Sequence, residues 1–576
     1  MVDLTKKPFY LNKEQIDWVE ETIANMTEDE KVGQLFTIMN IRKDDEEHIK
    51  AQIEKYHPGG LRWQGGNKEE NWNQNRLFQK HSKIPMVIAA NIETGASKSI
   101  GGGTLIAPGP AVGAGRGDKV ARLLAKAGGE EAKAIGCNWT FAPISDVVSN
   151  WRNTIVNNRA FSDDPDNVIR NCKAYMEEMK KLGIACCTKH FPGDGSEERD
   201  QHLVLGCNDL SVEEWEESFG KVYRELIDAG VESFMIGHIC QPALQKKYNP
   251  SLKDEDIMPA TLSKELLQDV LRGELGFNGL IITDASHMGG MACMAPRSHQ
   301  VPGAIAAGCD MYLYYNDGEE DFEYMREGIR SGLITEERLS DALHRILGFK
   351  AMLGLNELVF PDKEGLSVVG SEEHHNMAYE AADESVTLVK DTQHILPVNP
   401  EERKRVRLYY VESAPVSSVA GTDQAKYVVK EELEKLGFEV DLHKNFYEVE
   451  KENPGKTNLW SILEATEKME EFKKKYDLVL LVINMVGYAQ ENNVRIKWDI
   501  AHSNEIPWYI HEVPTVGISL NYTNHLYDVP QLKTFINAYS SEREYIRAAL
   551  EKMAGKSEFT GTANELVWCG RWETRL

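Results

Sequence analysis

Short apolar segments alternate with amphipathic segments along the first half of the chain. The apolar segments have the length of buried strands. They lie at 33–39, 59–64, 86–92, 137–142, 184–188, 232–237, 279–283 and 310–314. Between them, 118–134, 166–182, 211–229 and 262–275 have apolar positions at helical spacing. Eight strands with intervening helices favour a (β/α)8 barrel, although a doubly wound open sheet would alternate in the same way.

The segments that flank this pattern are also helical in character. Residues 13–31 have Ile16, Val19 and Ile23 on one face, and Thr27 is followed by acidic residues in the pattern of a helix N-cap. After the last predicted barrel strand, 320–331 and 335–353 predict two more helices. The barrel unit is therefore expected to occupy residues 1–360.

A second α/β pattern follows a polar stretch. We predict a linker at 361–377 and an α/β sandwich domain at 378–576. Its predicted strands lie near 385–389, 405–411, 437–442, 477–484 and 514–519, and its helices at 423–436 and 458–475. The predicted fold class is thus α/β, a TIM-type barrel followed by an α/β sandwich.

Composition narrows the classes of partner. The 576 residues are 41% hydrophobic, which is enough for sizeable cores, and the formal net charge is −26. Nucleic acids and anionic membrane surfaces are bound by basic faces, so we expect neither as a partner. The N-terminus lacks the apolar stretch of a secretion signal, and no run of ~18 apolar residues occurs. Nine scattered cysteines fit a reducing compartment, so we expect a cytoplasmic protein.

Polar side chains gather where the predicted strands end. The fifth strand ends at Lys189 and His190, a following loop carries Asp200 and His202, and the seventh strand ends at Asp284. The ends of the other strands add Asn91, Glu93, Asp146, Arg159 and His238. The carboxyl ends of barrel strands form one rim, and active sites lie on that rim. The pattern predicts a site for polar substrate chemistry, and no histidine or cysteine cluster has the spacing of a metal site.

These residues stand within longer motifs. Lys189 to Gly195 reads KHFPGDG and is followed by Asp200-x-His202, and residues 271–285 read LRGELGFNGLIITDA. Residues 158–165 read NRAFSDDP, 141–147 read FAPISDV, and 235–239 read MIGHI. In these motifs, and in 378–398, the chain resembles the family 3 glycoside hydrolases, and within them the β-N-acetylglucosaminidases. The resemblance covers most of the chain, in order.

The resemblance implies a role for each residue. Asp284 would be the nucleophile of a retaining exo-glycosidase that releases terminal β-N-acetylglucosamine from oligosaccharides or muropeptides. His202 would be the acid/base, because an imidazole can donate and accept a proton near neutral pH, and Asp200 would orient its ring. The sugar would be held by Lys189, His190, Arg159, Asn91, Glu93 and His238. No metal or cofactor is implied, and the expected partner is a small oligosaccharide or glycoside.

Two positions depart from the family pattern. Asp194 stands where relatives have a histidine between two glycines, so a third acidic group lies near His202 and could compete as its partner. In 91–99, NIETGASKS, Asn91 replaces a sugar-binding aspartate, and Lys98 is the nearest cation to a missing arginine. Asparagine still bonds a hydroxyl but carries no charge, so sugar preference is the property most affected.

Other assignments remain open. In the β-glucosidase branch a glutamate of the second domain is the acid/base, and Glu491 in GYAQENNVRIKW, 487–498, would be its counterpart here. We favour His202. The alternatives to N-acetylglucosaminide hydrolysis are a β-glucosidase, a phosphorylase in which phosphate replaces water, and a non-catalytic sugar-binding relative.

Overall fold

The computed structural model describes residues 2–40, 44–63, 65–412, 424–455, 467–485, 493–496, 498, 502 and 504–576. By internal contacts the chain divides into two units. The first comprises Met1–Gly109 and Ala121–His375, and the second comprises Pro110–Val120 and Asn376–Leu576. The division falls inside the helix Glu372–Ser385, close to the predicted start of the second domain at 378. The predicted linker 361–377 contains the helical turn Lys363–Val368 and the beginning of that helix.

The first unit contains eight parallel strands. They are β1 Phe36–Asn40, β2 Gly60–Trp63, β3 Val87–Ala90, β4 Trp139–Thr140, β5 Ala185–Phe191, β6 Ser233–Ile236, β7 Leu280–Thr283 and β8 Tyr312–Leu313. Each pairs with its neighbour in the order β8-β1-β2-β3-β4-β5-β6-β7, and a bridge between Ile282 and Met311 brings β7 to β8. The sheet therefore closes almost completely, and the predicted (β/α)8 barrel is confirmed.

Helices precede, separate and follow these strands along the chain. They are Lys13–Ala24, Glu28–Gln34, Glu46–Tyr56, Lys68–His81, Gly109–Ala114, Lys119–Ala134, Pro165–Lys181, Val212–Trp215 continued by Glu216–Gly220 and Lys221–Ala229, Pro242–Tyr248, Glu265–Glu274, Gly289–Ala292, Arg297–Ala307, Gly318–Arg330, Glu336–Met352 and Glu372–Ser385. Gly109–Ala114 and the start of Lys119–Ala134 are grouped with the second unit. Among the described residues, no helix is long and apolar enough to cross a membrane.

The N-terminal prediction is right about the cap and wrong about the first strand. The side chain of Thr27 accepts a hydrogen bond from the Glu30 amide, and the Glu30 side chain accepts one from the Thr27 amide, which is the predicted capping arrangement. The helix that it begins continues to Gln34, so β1 begins at Phe36 and not at residue 33. Gly33 and Gln34 therefore belong to the helix that begins at this cap, although the apolar character of 33–39 predicted a strand there.

The core forms because the central strands are apolar on both faces. All seven residues of β5 are buried, as expected of a parallel strand covered by helices. On the outside of β1 and β2, the helices Glu46–Tyr56 and Lys68–His81 contribute to a cluster of buried apolar side chains. Its members are Ile38, Ile49, Ile53, Leu61, Leu77, Phe78 and Met86. This packing holds the strand ends, and therefore the polar residues that follow them, in fixed positions.

The second unit contains one mixed sheet. Its strands are β9 Thr387–Asp391, β10 Arg405–Glu412, β11 Glu439–Leu442, β12 Leu478–Asn484, β13 Thr515–Ser519 and β14 Thr534–Asn537. They lie in the order β9-β14-β13-β12-β10-β11, with β9 antiparallel to β14 and the other pairs parallel. Its helices are Ala425–Lys435, Phe446–Glu452, Met469–Lys475 and Arg543–Met553. Five strands were predicted, and β14 was not; residues 458–466 of a predicted helix lie outside the described part of the chain.

Candidate active site

Asp284 lies directly after β7, at the carboxyl end of the barrel. Its amide donates to the carbonyl of Ile236 at 2.8 Å, and its Oδ1 accepts from the amide of Ala285 at 2.7 Å. The residue is 9% exposed. The two backbone bonds fix the carboxylate, and its second oxygen, Oδ2, faces His190.

His190 stands between two carboxylates. Its Nδ1 lies 2.7 Å from Oδ2 of Asp146, and its Nε2 lies 3.9 Å from Oδ2 of Asp284. The His190 amide also donates to Oδ1 of Asp146 at 3.1 Å. Asp146 is fully buried and therefore anchors both the backbone and the ring of His190.

The surrounding cations hold Asp284 in its charged form. Burial by itself raises the pKa of a carboxyl group. Here the positive charges near Asp284 outweigh burial and lower its pKa to about 2. In order of effect they belong to His190, His238, His202 and Lys189. A carboxylate that is ionised at every physiological pH is suited to act as a nucleophile.

Glu93 binds two cations at once. Its Oε1 lies 2.7 Å from Nζ of Lys189, and its two oxygens accept from Nε and Nη2 of Arg159 at 3.0 and 2.9 Å. Burial opposes the charge of Glu93, but Arg159 and Lys189 outweigh it and place its pKa well below the usual range. The same bidentate pairing raises the pKa of Arg159 against the effect of burial. These three residues form a buried ionic group beside β5.

His202 and Asp200 are hydrogen-bonded to each other. The Nδ1 atom of His202 lies 2.6 Å from Oδ1 of Asp200, and the His202 amide donates to the same oxygen at 2.8 Å. Asp200 is 2% exposed, whereas the His202 side chain is 22% exposed. The carboxylate is thus buried behind the ring, and the opposite ring nitrogen, Nε2, is left on the accessible side.

Asp194 has other partners than His202. Its Oδ1 accepts from Nδ2 of Asn153 at 2.8 Å and from the Gly195 amide at 2.7 Å. Its own amide donates to Oδ1 of Asp146 at 2.8 Å. Burial, with the nearby charge of Asp146, raises the pKa of Asp194 to about 8. In this structure Asp200, and not Asp194, is the carboxylate that orients His202.

Three other positions contribute less directly. The Asn91 amide donates to Oγ of Ser99 at 3.2 Å, and the Asn91 side chain is partly exposed. Lys98 is exposed. His238 is fully buried, and its ring nitrogens lie 3.1 Å from Oγ1 of Thr261 and 3.0 Å from the carbonyl of Ala285. Both nitrogens of His238 are therefore engaged within the protein, so this ring supports the site rather than offering an open nitrogen to a sugar.

Two residues of the site were missed by the sequence analysis. Asn153 binds Asp194 and the carbonyl of Glu197, and Gln201 is 1% exposed and binds the His238 amide. Gln201 stands between Asp200 and His202 in a motif that was already identified. Its position inside that motif was the available signal, but sequence alone did not indicate that a polar loop side chain would be buried.

Two further expectations concern Glu491 and a metal site. Glu491, the alternative acid/base, lies outside the described residues. Within the part of the chain that the structure describes, no group of three or more histidine, cysteine, aspartate or glutamate side chains is placed to hold a metal ion.

Comparison with known proteins identifies the family. Residues 27–349 match the profile of the glycosyl hydrolase family 3 N-terminal domain. Over its whole length the chain is 38% identical to the whole of a protein from Cellulomonas fimi named beta-N-acetylglucosaminidase/beta-glucosidase. A structure named beta-glucoside phosphorylase BglX is 36% identical, covers 99% of both chains and has a TM-score of 0.90.

A more distant structure has the same fold. The family 3 beta-N-acetylglucosaminidase of Paenibacillus sp. is 21% identical, with a TM-score of 0.77 over 93% of this chain and 98% of the other. The barrel, the motifs at its strand ends and these similarities agree, and the chain belongs to glycosyl hydrolase family 3.

Proposed function

We propose that this protein is a retaining exo-glycosidase that releases terminal β-N-acetylglucosamine from small glycosides, with Asp284 as nucleophile and His202 as acid/base. One observation carries the proposal. The buried carboxylate of Asp200 lies 2.6 Å from Nδ1 of His202, on a loop whose backbone is bonded to the segment that follows Asp284. An oriented imidazole and an ionised carboxylate are thus brought to one end of the barrel.

The first step forms a covalent intermediate. An oxygen of Asp284 bonds to the anomeric carbon while the bond from that carbon to the aglycone oxygen breaks. His202 gives the proton on Nε2 to the departing oxygen, so the aglycone leaves as a neutral alcohol. The ring becomes neutral in this step, with Nδ1–H still donated to Asp200.

The second step releases the sugar. A water molecule attacks the anomeric carbon, and Nε2 of His202 takes a proton from it as the bond to Asp284 breaks. Two displacements at the same carbon leave the β configuration unchanged. Asp200 stabilises the imidazolium that forms and keeps the tautomer fixed through both steps.

The ionic group of Glu93, Arg159 and Lys189 is suited to hold sugar hydroxyls. Both cations are anchored by Glu93 and retain donors for a ligand, since a guanidinium has five N–H groups and an ammonium has three. His190 would add a contact near Asp284. Asn91 supplies an uncharged amide where relatives have a carboxylate, and this favours a neutral sugar hydroxyl over a charged substituent as its partner.

The full-length relative from Cellulomonas fimi carries two activities in its name, N-acetylglucosaminidase and β-glucosidase. That name supports N-acetylglucosamine as the substrate and gives β-glucosides as the alternative. The partner that we propose is accordingly a small oligosaccharide, muropeptide or simple glycoside. We propose a cytoplasmic location, in keeping with the nine scattered cysteines.

A second candidate is phosphorolysis, in which phosphate replaces water in the second step. The structure named beta-glucoside phosphorylase BglX matches this chain over 99% of its length, which favours this candidate. The chemistry of His202 is compatible with it. A neutral imidazole does not repel an approaching phosphate dianion as a carboxylate base would, and phosphate is a nucleophile without deprotonation.

One set of assays tests both candidates. Aryl β-N-acetylglucosaminide and aryl β-glucoside are each supplied with and without inorganic phosphate, and the product is identified as free sugar or sugar 1-phosphate. We expect cleavage of the N-acetylglucosaminide with retention, and a fluorinated slow substrate should label Asp284. A label on another residue would overturn the assignment, and sugar binding without cleavage of either glycoside would favour the non-catalytic alternative.

A further inference from the structure

The loop that carries His202 is bonded to the segment that follows Asp284. The amide of Gly289 donates to the carbonyl of His202 at 2.8 Å, and the amide of Gly290 donates to the carbonyl of Gln201 at 2.9 Å. Gly289 and Gly290 begin the helix Gly289–Ala292, five residues beyond the nucleophile. Main-chain hydrogen bonds therefore connect the loop that carries His202 to the segment that follows Asp284.

Only glycine fits at residues 289 and 290. A Cβ atom at residue 289 would lie 2.2 Å from the carbonyl oxygen of Leu203, and one at residue 290 would lie 2.8 Å from that of Gln201. Neither approach is possible without moving the backbone, since non-bonded carbon and oxygen atoms meet at well over 3 Å. The loop Asp200–Leu203 thus packs directly against the backbone of Gly289 and Gly290, which we call the glycine seat.

The side chain of Gln201 secures the same loop from the inside. Its Oε1 accepts from the His238 amide at 2.6 Å, and its Nε2 lies 3.4 Å from Oδ2 of Asp194. A Cβ atom at Gly237 would lie 3.2 Å from this Oε1, so the glutamine occupies a space that a neighbouring glycine leaves open. The His202 side chain is 22% exposed, whereas Gln201 is 1% exposed and its side chain is bonded within the protein.

We propose that Gln201, seated against Gly289 and Gly290, is the positioning residue that holds His202 in reach of the glycosidic oxygen. The inference rests on the proposed role of His202. Gln201 itself touches no reacting atom. It joins the His202 loop to the strand end at His238 and, through the glycine seat, to the segment after Asp284, so it sets the distance between the proton donor and the nucleophile.

The position of a general acid matters only when the leaving group needs a proton. An alkyl or phenyl glycoside has a basic leaving oxygen and depends on the acid, whereas a dinitrophenyl glycoside leaves as a stable anion. Loss of His202 positioning therefore lowers kcat/KM for the first kind of substrate and spares the second. A general loss of folding or of sugar binding lowers kcat/KM for both kinds equally.

The test compares Gln201→Ala and Gly289→Ala with the wild type on phenyl and dinitrophenyl β-glycosides of the sugar that the wild type cleaves. We expect kcat/KM for the phenyl glycoside to fall by ~10²-fold and that for the dinitrophenyl glycoside by less than ~3-fold. Gln79→Ala is the matched control. Gln79 is also buried and also binds main chain, at the amide and carbonyl of Met86, but it lies at the amino end of β3 and not at the carboxyl ends that carry the site.

Each outcome is decisive. Equal losses on both substrates, or no loss on either, would overturn the positioning role of Gln201. Selective loss in Gln79→Ala would also overturn it, because that loss would not require the loop. If Gln201→Ala does not fold, Gly289→Ala disturbs the same seat from the opposite side and gives the same readout. A wild type that cleaves neither glycoside would instead refute the proposed function.

Discussion

The Nε2 atom of His190 lies 3.9 Å from Oδ2 of Asp284, while its Nδ1 lies 2.7 Å from Oδ2 of Asp146. One imidazole therefore faces two carboxylates, and its bond to Asp146 holds the orientation of the ring towards Asp284. His190 is the largest single favourable influence on the charge of Asp284, whose pKa falls to about 2 in spite of burial. Asp146 thus acts on Asp284 through the His190 ring that both carboxylates face.

We expect Asp146→Asn to lower kcat/KM by roughly 10²-fold or more, because an amide does not hold the His190 ring and its positive potential beside Asp284 as a carboxylate does. The pKa of Asp284 should then rise, and the acid limb of the pH profile should move to higher pH. The measurement is kcat/KM as a function of pH. Asp166→Asn, which removes an exposed ion pair with Lys221, should leave the profile unchanged. An acid limb identical to that of the wild type would contradict this prediction.

Glu93→Gln should weaken substrate binding severely. The substitution leaves Arg159 and Lys189 buried without their counter-charge, and breaking a buried ion pair costs about 3–5 kcal/mol. We expect a raised KM, a kcat/KM reduced by at least ~10²-fold, and a lower midpoint of thermal unfolding.

Glu46→Gln is the control for Glu93→Gln. Glu46 also contacts two basic side chains, Lys80 at 2.7 Å and His81 at 2.8 Å, but this group lies at the surface. Its loss should change neither kinetics nor stability appreciably. If the two variants behave alike, the buried ionic group does not hold the sugar.

Asp194→Asn should retain activity in mildly acidic buffer and become less sensitive to alkaline pH. The pKa of Asp194 is raised to about 8, so this carboxyl is neutral below that pH and an amide replaces it well. Because the unfolded carboxyl ionises near 3.8, the wild type loses stability as pH rises from 3.8 to about 8, and near pH 8 it acquires a buried charge beside Asp146 and Asp200 that disturbs the loop that carries His202. The comparison is kcat/KM of the two proteins across this range. If kcat/KM falls equally at alkaline pH in the wild type and in Asp194→Asn, the prediction is contradicted.

Lys350→Met should alter the dependence of stability on pH. Lys350 is fully buried, its Nζ lies 2.5 Å from Oε1 of Gln34, and burial lowers its pKa from 10.5 to about 7. A lysine with a lowered folded pKa makes the protein more stable as pH rises from 7 towards 10.5, because the unfolded chain binds the extra proton. Wild-type stability should increase over that interval by several kcal/mol, about 1.4 kcal/mol per pH unit at most, and the variant should lack this increase.

Calorimetric unfolding at several pH values measures the effect of Lys350→Met. Lys13→Met is the control, because Lys13 forms an exposed pair with Asp17 within one helix. A wild type and a Lys350→Met variant with the same pH dependence would show that Lys350 is charged in the folded protein.

The barrel was predictable because its strands are short, apolar and buried on both faces, as in the four residues of β3. The helix Lys68–His81 was not predicted, since its sequence is mostly polar and its buried face includes Asn71, Gln74 and Asn75. These amides are buried because they bind main chain, for example Asn75 to the carbonyl of Ile135. A search for apolar residues at helical spacing does not find a buried helix face that is made of polar side chains. The strand β14 reads TFIN, and its two adjacent apolar residues, Phe535 and Ile536, are too few for an apolar run of strand length.

For the site, sequence spacing was informative only over short distances. Asp200 and His202 are two positions apart, so a contact between them follows from local geometry. The contact between Glu93 and Arg159 joins residues 66 positions apart, and the family resemblance suggested both residues without indicating that they pair. The burial of Gln201 depends on glycines at 237, 289 and 290, which the fold brings together from distant parts of the chain.

His202 and the carboxylate that orients it belong to a single loop. Asp200 and His202 share one backbone segment, so a displacement of that segment carries the ring and the carboxylate together. The ring therefore keeps its bond to Asp200 when the loop shifts, so a substitution that moves the loop changes the distance from His202 to Asp284 without separating the imidazole from its carboxylate.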